Sequence, residues 1–200
     1  MKQKNSRKEK AAATKKIIFE TAVQLIKSKG YYNITVSEIC KTAKIAKGSF
    51  YLYYNAKEDI VRESYYADMG EYIQEHYNAF TSACPTSSRI ERIIYFLNLE
   101  CAFAEYTGYE LTCLAYALNL NACLPGPSEH TEKRFFSKIL YDEIAQSPTK
   151  SVFSCDEIYC YLESMIRGLM ATWCFSNQSF SIVSYGKKYI DHAVYSIYQT

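Results

Sequence analysis

Between Thr35 and Asp59 the chain reads TVSEICKTAKIAKGSFYLYYNAKED, and this stretch leaves little freedom in how it folds. Thr35 is a helix N-cap with Glu38 three residues on, the spacing at which each side chain takes up a free backbone N–H near the other. Ile34 and Ile39 flank the cap in staple positions. Val36, Ile39, Cys40 and Ala43 give one apolar stripe, so a short helix is predicted, with Ile45 buried in the turn after it. A second short helix runs from about Lys47 to Tyr53, with small residues first (Gly48, Ser49) and aromatics after (Phe50, Tyr51, Tyr53, Tyr54). Asn55, with Glu58 three residues on, caps a third. A supporting helix, a tight turn and a helix with a small-residue start make a helix-turn-helix, whose second helix enters a major groove.

At Thr35, Val36, Glu38, Ile39, Ala43, Lys47, Gly48, Ser49, Phe50, Tyr51, Tyr53, Lys57 and Glu58 the stretch resembles the DNA-binding domain of the TetR family of transcriptional regulators. That family's pattern runs roughly T-V-x-E-I-x-x-x-A-G-V-S-K-G-S-F-Y-x-Y-F-x-x-K-E-x-L. Lys44 stands where the pattern has a turn glycine, Ala46 where it has a Ser or Thr cap, and Tyr54 where it has Phe. The resemblance implies an all-α chain of about nine helices. A three-helix DNA-binding domain would occupy residues 1–56, and a helical domain for ligand binding and homodimerisation residues 57–200. It implies a ligand-responsive regulator, a repressor in the first instance, on an inverted-repeat operator in double-stranded DNA. The DNA-contacting residues are then Thr35, Val36, Lys47, Gly48, Ser49, Tyr51, Tyr53 and Lys57.

Charge agrees with that division. Residues 1–60 hold 13 Lys and Arg against 5 acids, a net of +8, while residues 61–200 hold 10 against 16, a net of −6. A basic third beside an acidic remainder points to a polyanionic partner for that third alone. Met1 to Lys10 reads as a polar, basic arm, followed by a helix over about 11–29 that stops at Gly30. A long helix over about 57–80 links the two parts, with Gly70 inside it as a close helix crossing or a bending point. Beyond Pro85, capping-box spacings recur at Ser88/Glu91 and Ser154/Glu157, with Phe153 and Ile158 in staple positions. Helical stripes follow from Ile90 to Ala104, Leu111 to Leu118, Phe135 to Ile144, about 154–175 and about 181–198. The segment 119–128, with Pro125-Gly126-Pro127, reads as a loop.

Twenty tyrosines suit a helical domain with an aromatic interior carrying hydroxyl handles. By the resemblance, Phe103, Tyr106, Tyr109, Cys113, Tyr116, Met165 and Trp173 lie in pocket-lining segments. Glu100 borders an apolar stripe, where it either meets a cationic ligand or is solvated or ion-paired, and the expected ligand is small and apolar or aromatic. The eight cysteines show no C-x-x-C spacing and the three histidines are scattered, so no metal site or cofactor is expected. No catalytic constellation emerges. The longest apolar run, 111–118, is too short to span a membrane, and a reduced, cytoplasmic protein is expected. Two other readings stand: a helical enzyme or carrier with a structural N-terminal unit, and a thiol-based redox regulator.

Overall fold

The computed structural model describes residues 2–122, 134–149 and 151–198, and among these nine α-helices and one 3-10 turn are present with no strand. The chain divides into two compact units, Met1–Tyr65 and Tyr66–Thr200, with the division inside one helix. None of the described helices is long and apolar enough to cross a membrane.

In the first unit, α1 (Lys2–Lys29) begins well before the expected position, so the basic stretch is helical rather than an arm. Its buried line is Ile18, Ala22 and Ile26, one residue every turn, and Ile17 is left half exposed. Gly30 turns the chain at φ 80° into the 3-10 turn Tyr31–Asn33. α2 (Val36–Thr42) starts at Thr35, whose hydroxyl accepts from the Glu38 N–H at 3.2 Å. The reciprocal half of the capping box is absent, because the Glu38 carboxylate pairs with Lys29 instead. α2 ends with two bonds that fold the turn back, Ile45 N–H to the Cys40 carbonyl at 3.0 Å and Lys44 N–H to that of Lys41 at 3.3 Å. This is a Schellman ending, and it needs a left-handed residue, here Lys44 at φ 56°. Ile45 itself is only half-buried.

α3 (Lys47–Tyr51) is two residues shorter than expected, and Ala46 supplies no side-chain cap. Phe50, fully buried, anchors it. α4 (Lys57–Ala83) follows, but the cap expected from Asn55 and Glu58 is rearranged. The Asn55 N–H donates to Asp59 at 2.9 Å, and Glu58 takes the Tyr31 hydroxyl.

In the second unit, α5 (Arg89–Thr107) is the most buried element, with Ile93, Phe96, Leu97, Cys101, Phe103 and Ala104 inside. Full capping boxes start α5 and α8 (Cys155–Phe175): Ser88 with Glu91 and Ser154 with Glu157 satisfy each other's N–H groups, which lowers both carboxyl pKa values. The staple drawn at Phe153 does not close, since Phe153 is exposed. Gly108, at φ 92°, separates α5 from α6 (Tyr109–Ala122), so residues 119–122 are helical, and Pro125 to Pro127 lie outside the described residues. Phe135 and Phe136 precede α7 (Ser137–Ala145) rather than riding on it. α9 (Ile182–Tyr198) closes the unit against α5.

Two glycines mark close approaches. A Cβ at Gly70 would stand 2.4 Å from the Phe135 ring, so this glycine admits an aromatic side chain rather than a helix crossing. A Cβ at Gly186 would stand 2.6 Å from the Cys101 Sγ. Phe135 is 59% exposed and its ring can swing away, whereas Cys101 is fully buried and short. Gly186→Ala is therefore expected to destabilise the chain by about 1–3 kcal/mol. Gly70→Ala should be close to neutral, with helix propensity offsetting ring displacement. Urea denaturation of both variants checks the contrast.

Candidate nucleic-acid interface and interior site

The helix-turn-helix presents its expected residues unequally. Thr35, Lys47, Gly48 and Tyr51 are exposed, while Val36, Ser49 and Tyr53 are half-buried. Tyr51 leans edge-on against the buried Phe50, with ring centroids 5.4 Å apart, so its outer end is fixed from beneath. A Cβ built on Gly48 meets nothing within 4 Å. No neighbour in the fold requires a glycine there, and in a helix it costs about 1 kcal/mol relative to alanine. Leu52, 79% exposed, and Tyr32, 75% exposed, also stand out on this unit. Leu52 drew no attention in the sequence because its neighbours Tyr51 and Tyr53 carry the pattern.

Lys57 is placed differently from a free surface cation. Its ammonium donates to the carbonyls of Tyr31 and Ile34, both at 2.9 Å, and lies 4.0 Å from the centroid of the Tyr31 ring. The Tyr31 hydroxyl in turn donates to Glu58, and burial with that carboxylate pushes the Tyr31 pKa up. Lys57 thus ties the 3-10 turn and the entry to α2 onto the first turn of α4.

In the second unit the expected ligand residues do not gather around one centre. Phe103 is buried against Tyr72, centroids 5.5 Å apart, and Tyr106, largely exposed, stacks on the same ring at 5.5 Å. Tyr109 meets Trp173 edge to face at 5.6 Å and donates to the Cys174 carbonyl at 3.1 Å, with the Cys113 thiol also against its hydroxyl. The Tyr116 hydroxyl reaches the Met170 sulfur at 2.9 Å. Met165 lies elsewhere, in a surface groove of about 370 Å³ between α8 and α9 with Gly168, Thr172, Tyr185 and Tyr189.

Glu100 is ion-paired inside the unit. Arg134 Nη2 donates to it at 2.9 Å, and Arg134 Nη1 pairs with Glu163 of α8. Arg167 completes the set, reaching Glu163 at 2.6 Å from a half-exposed position. The Arg134, Glu100 and Glu163 side chains are all buried, and one oxygen on each carboxylate and the Arg134 Nε have no hydrogen-bond partner among the described residues. Burial pushes the Glu100 pKa up to about 7, against the pull of Arg134. Arg134 and Glu163 lie 34 and 63 residues from Glu100 in sequence, which no local pattern reveals. Among the described residues no group of His, Cys, Asp and Glu is placed to hold a metal ion.

Residues 18–63 match the family model of bacterial regulatory proteins, tetR family. The HTH-type transcriptional regulator YuxN of Bacillus subtilis is 46% identical over 55 residues, which are 26% of this chain and 19% of that protein. Across the curated relatives matched, this chain spans between 19% and 36% of their lengths. The crystal structure of FadR from Thermus thermophilus, a TetR-family repressor in complex with lauroyl-CoA, shares the fold at a TM-score of 0.71. Its identity is 16%, over 90% of this chain and 92% of that one. FadR from Bacillus subtilis in complex with stearoyl-CoA gives 0.64 and 21%, over 91% and 98%.

The Glu100 carboxyl has a measurable signature. Its folded pKa lies above its ordinary 4.5, so the stabilisation from its bound proton is complete below about pH 4.5 and disappears as pH rises through about 7. Glu100→Gln is expected to flatten the stability–pH profile across that window. Arg134→Met should destabilise by about 3–5 kcal/mol, because it leaves two buried carboxylates together. Chemical denaturation from pH 4.5 to 8 reads both.

Proposed function

We propose that this chain, which by its N-terminal residues and its fold belongs to the tetR family of bacterial regulatory proteins, is a ligand-released transcriptional repressor acting as a homodimer on an inverted repeat. The observation that carries the DNA-binding half is the exposed start of α3: a glycine unneeded by the fold, between Lys47 and Tyr51, on a unit with a net charge of +8 over residues 1–60. An α3 backbone kept bare at Gly48 can approach base edges closely, with Lys47 and Ser49 beside it and Tyr51 and Tyr53 reaching phosphates or bases. Thr35 and Val36 present the start of α2 to the phosphate backbone. Lys57 supports this surface from behind by fixing α2 to α4, rather than meeting phosphate as its primary task.

Residues 1–56 then serve DNA binding and 57–200 effector binding and pairing. For pairing, the exposed faces of α8 and α9 supply the contact: Tyr161, Met165 and Gly168 on α8, Tyr185 and Tyr189 on α9. A Cβ at Gly168 meets nothing within 4 Å, which leaves room for another chain's close approach. Two-fold pairing of two helices from each protomer would set recognition helices about 34 Å apart. Tyr189→Glu should separate protomers, whereas Ile197, buried in its own protomer, would report only on folding.

The effector is read as a ligand with an apolar portion, and fatty acyl-CoA thioesters, apolar only in their acyl chain and held by the two FadR proteins in their crystal structures, are the first class to test. The reading rests on the aromatic interior of this unit, with Phe103 against Tyr72 and Tyr109 against Trp173, rather than on one shared pocket.

Two measurements test these readings. Gly48→Leu should leave the melting temperature unchanged or raised yet weaken operator binding at least about tenfold, about 1.4 kcal/mol. Lys47→Ala should reduce the slope of log affinity against log salt by about 1, and Lys57→Ala should weaken binding with the slope intact. A Gly48→Leu protein that binds its operator normally removes α3 as the reading helix. Separately, calorimetry with lauroyl-CoA and stearoyl-CoA should show weaker acyl-CoA binding when operator is present, by the factor that acyl-CoA weakens operator binding. Equal affinity with and without operator rules acyl-CoA out as the effector.

A further inference from the structure

The exposed residues of α3 form one continuous arc. Leu52, its C-cap, keeps a helical backbone at φ −74° and ψ −20°, so the helix register carries through it. At about 100° per residue, Lys47, Tyr51, Gly48 and Leu52 follow one another around the helix in that order, across about 140°. All four are exposed, while Ser49 at one edge is half-buried and Phe50 at the other is fully buried. Seen down the axis, Gly48 therefore lies between Tyr51 and Leu52. The two flanks differ in chemistry. Tyr51 carries a hydroxyl for a phosphate or a base edge; Leu52 has no donor or acceptor in its side chain, and the fold leaves it 79% exposed. A single exposed leucine is ordinary on a protein surface. This one edges a glycine with open space above it, so whatever surface approaches Gly48 also meets Leu52.

We propose that Leu52 is a specificity-determining residue that reads thymine, its side chain packing on the C5-methyl group of one thymine in each half-site. The inference rests on α3 as the helix that lies in the major groove. In that groove the thymine methyl is the apolar group a base pair displays. Against it, Leu52 loses exposed apolar surface and no hydrogen bond is broken. Against the cytosine amino group, or guanine O6 and N7, the same side chain displaces water from polar atoms and returns no bond. Leu52 thus selects by penalising the wrong base as well as by contacting the right one. Phosphate offers it nothing, so its contribution is to sequence preference and not to the salt-dependent part of binding, which falls to Lys47 on the far edge of the arc.

The test isolates one methyl group. The full-length protein selects its preferred duplex from a random pool, and each thymine of that duplex is then replaced singly by 2′-deoxyuridine. The replacement removes the C5-methyl and keeps every hydrogen-bonding group. At one position in each half-site it should weaken the wild-type protein about fourfold, the worth of one methyl-sized group. Leu52→Ala should bind the thymine duplex more weakly than wild type and lose nothing further with uracil at that position, while responding as wild type does at every other thymine. Its salt slope should be unchanged, and so should its melting temperature, since the side chain lies on the surface. A second selection with Leu52→Ala should lose the thymine preference at that position alone. The proposal is overturned if wild type and Leu52→Ala respond alike to uracil at every position while both still prefer the selected duplex; α3 then reads through its other residues and the functional reading stands. If wild type prefers no duplex over another, the functional reading and this inference fail together.

Discussion

Two carboxyls buried side by side need a proton or a cation between them. Arg134 supplies the cation for Glu100 of α5 and Glu163 of α8, while burial also favours the proton on Glu100. Each buried ion costs several kcal/mol in lost hydration, repaid only in one arrangement. The consequence reaches beyond the ion pair, because Arg134, Phe135 and Phe136 are consecutive. With the guanidinium fixed, the next ring lies over Gly70 of α4 and the one after it is fully buried. Arg134 therefore links α5 to α8 and Phe136 fills the core just ahead of α7, while the Phe135 ring only rests on α4 at Gly70.

The N-terminal unit was legible because its determinants are local. Caps, turn and aromatic anchor lie within 25 consecutive residues, and helix periodicity does the rest. Even there, competition between partners was invisible. Glu38 suited a capping box but found Lys29, and Glu58 suited another but found Tyr31. Lys57 looked like a phosphate contact in a basic stretch, yet two carbonyls and a ring hold it. The basic start of α1 looks like an arm in sequence because it lacks an apolar stripe, although lysine is itself a good helix former.

The C-terminal unit was legible in helix order and opaque in side-chain pairing. α8 was placed from its capping box and stripe, but Met165 was put on the interior side when it faces a surface groove. The pocket residues came from segments, and segments do not say which face of a helix turns inward. Glu100 was flagged for standing beside an apolar stripe. Its partner Arg134 lies 34 residues away in sequence, so only the three-dimensional packing names it.

The turn between α2 and α3 has one more consequence. Lys44 holds a left-handed backbone that glycine would adopt without strain, and a residue with a Cβ pays roughly 1 kcal/mol or more there. The fold gains nothing visible from this lysine, whose side chain is exposed. What it adds is a positive charge at the tip of the turn, immediately ahead of α3. The turn is thus biased toward display of charge over ease of folding, and local opening would start there more readily than in a glycine turn. The two turn bonds that require a left-handed residue also hold its side chain's charge beside the start of α3.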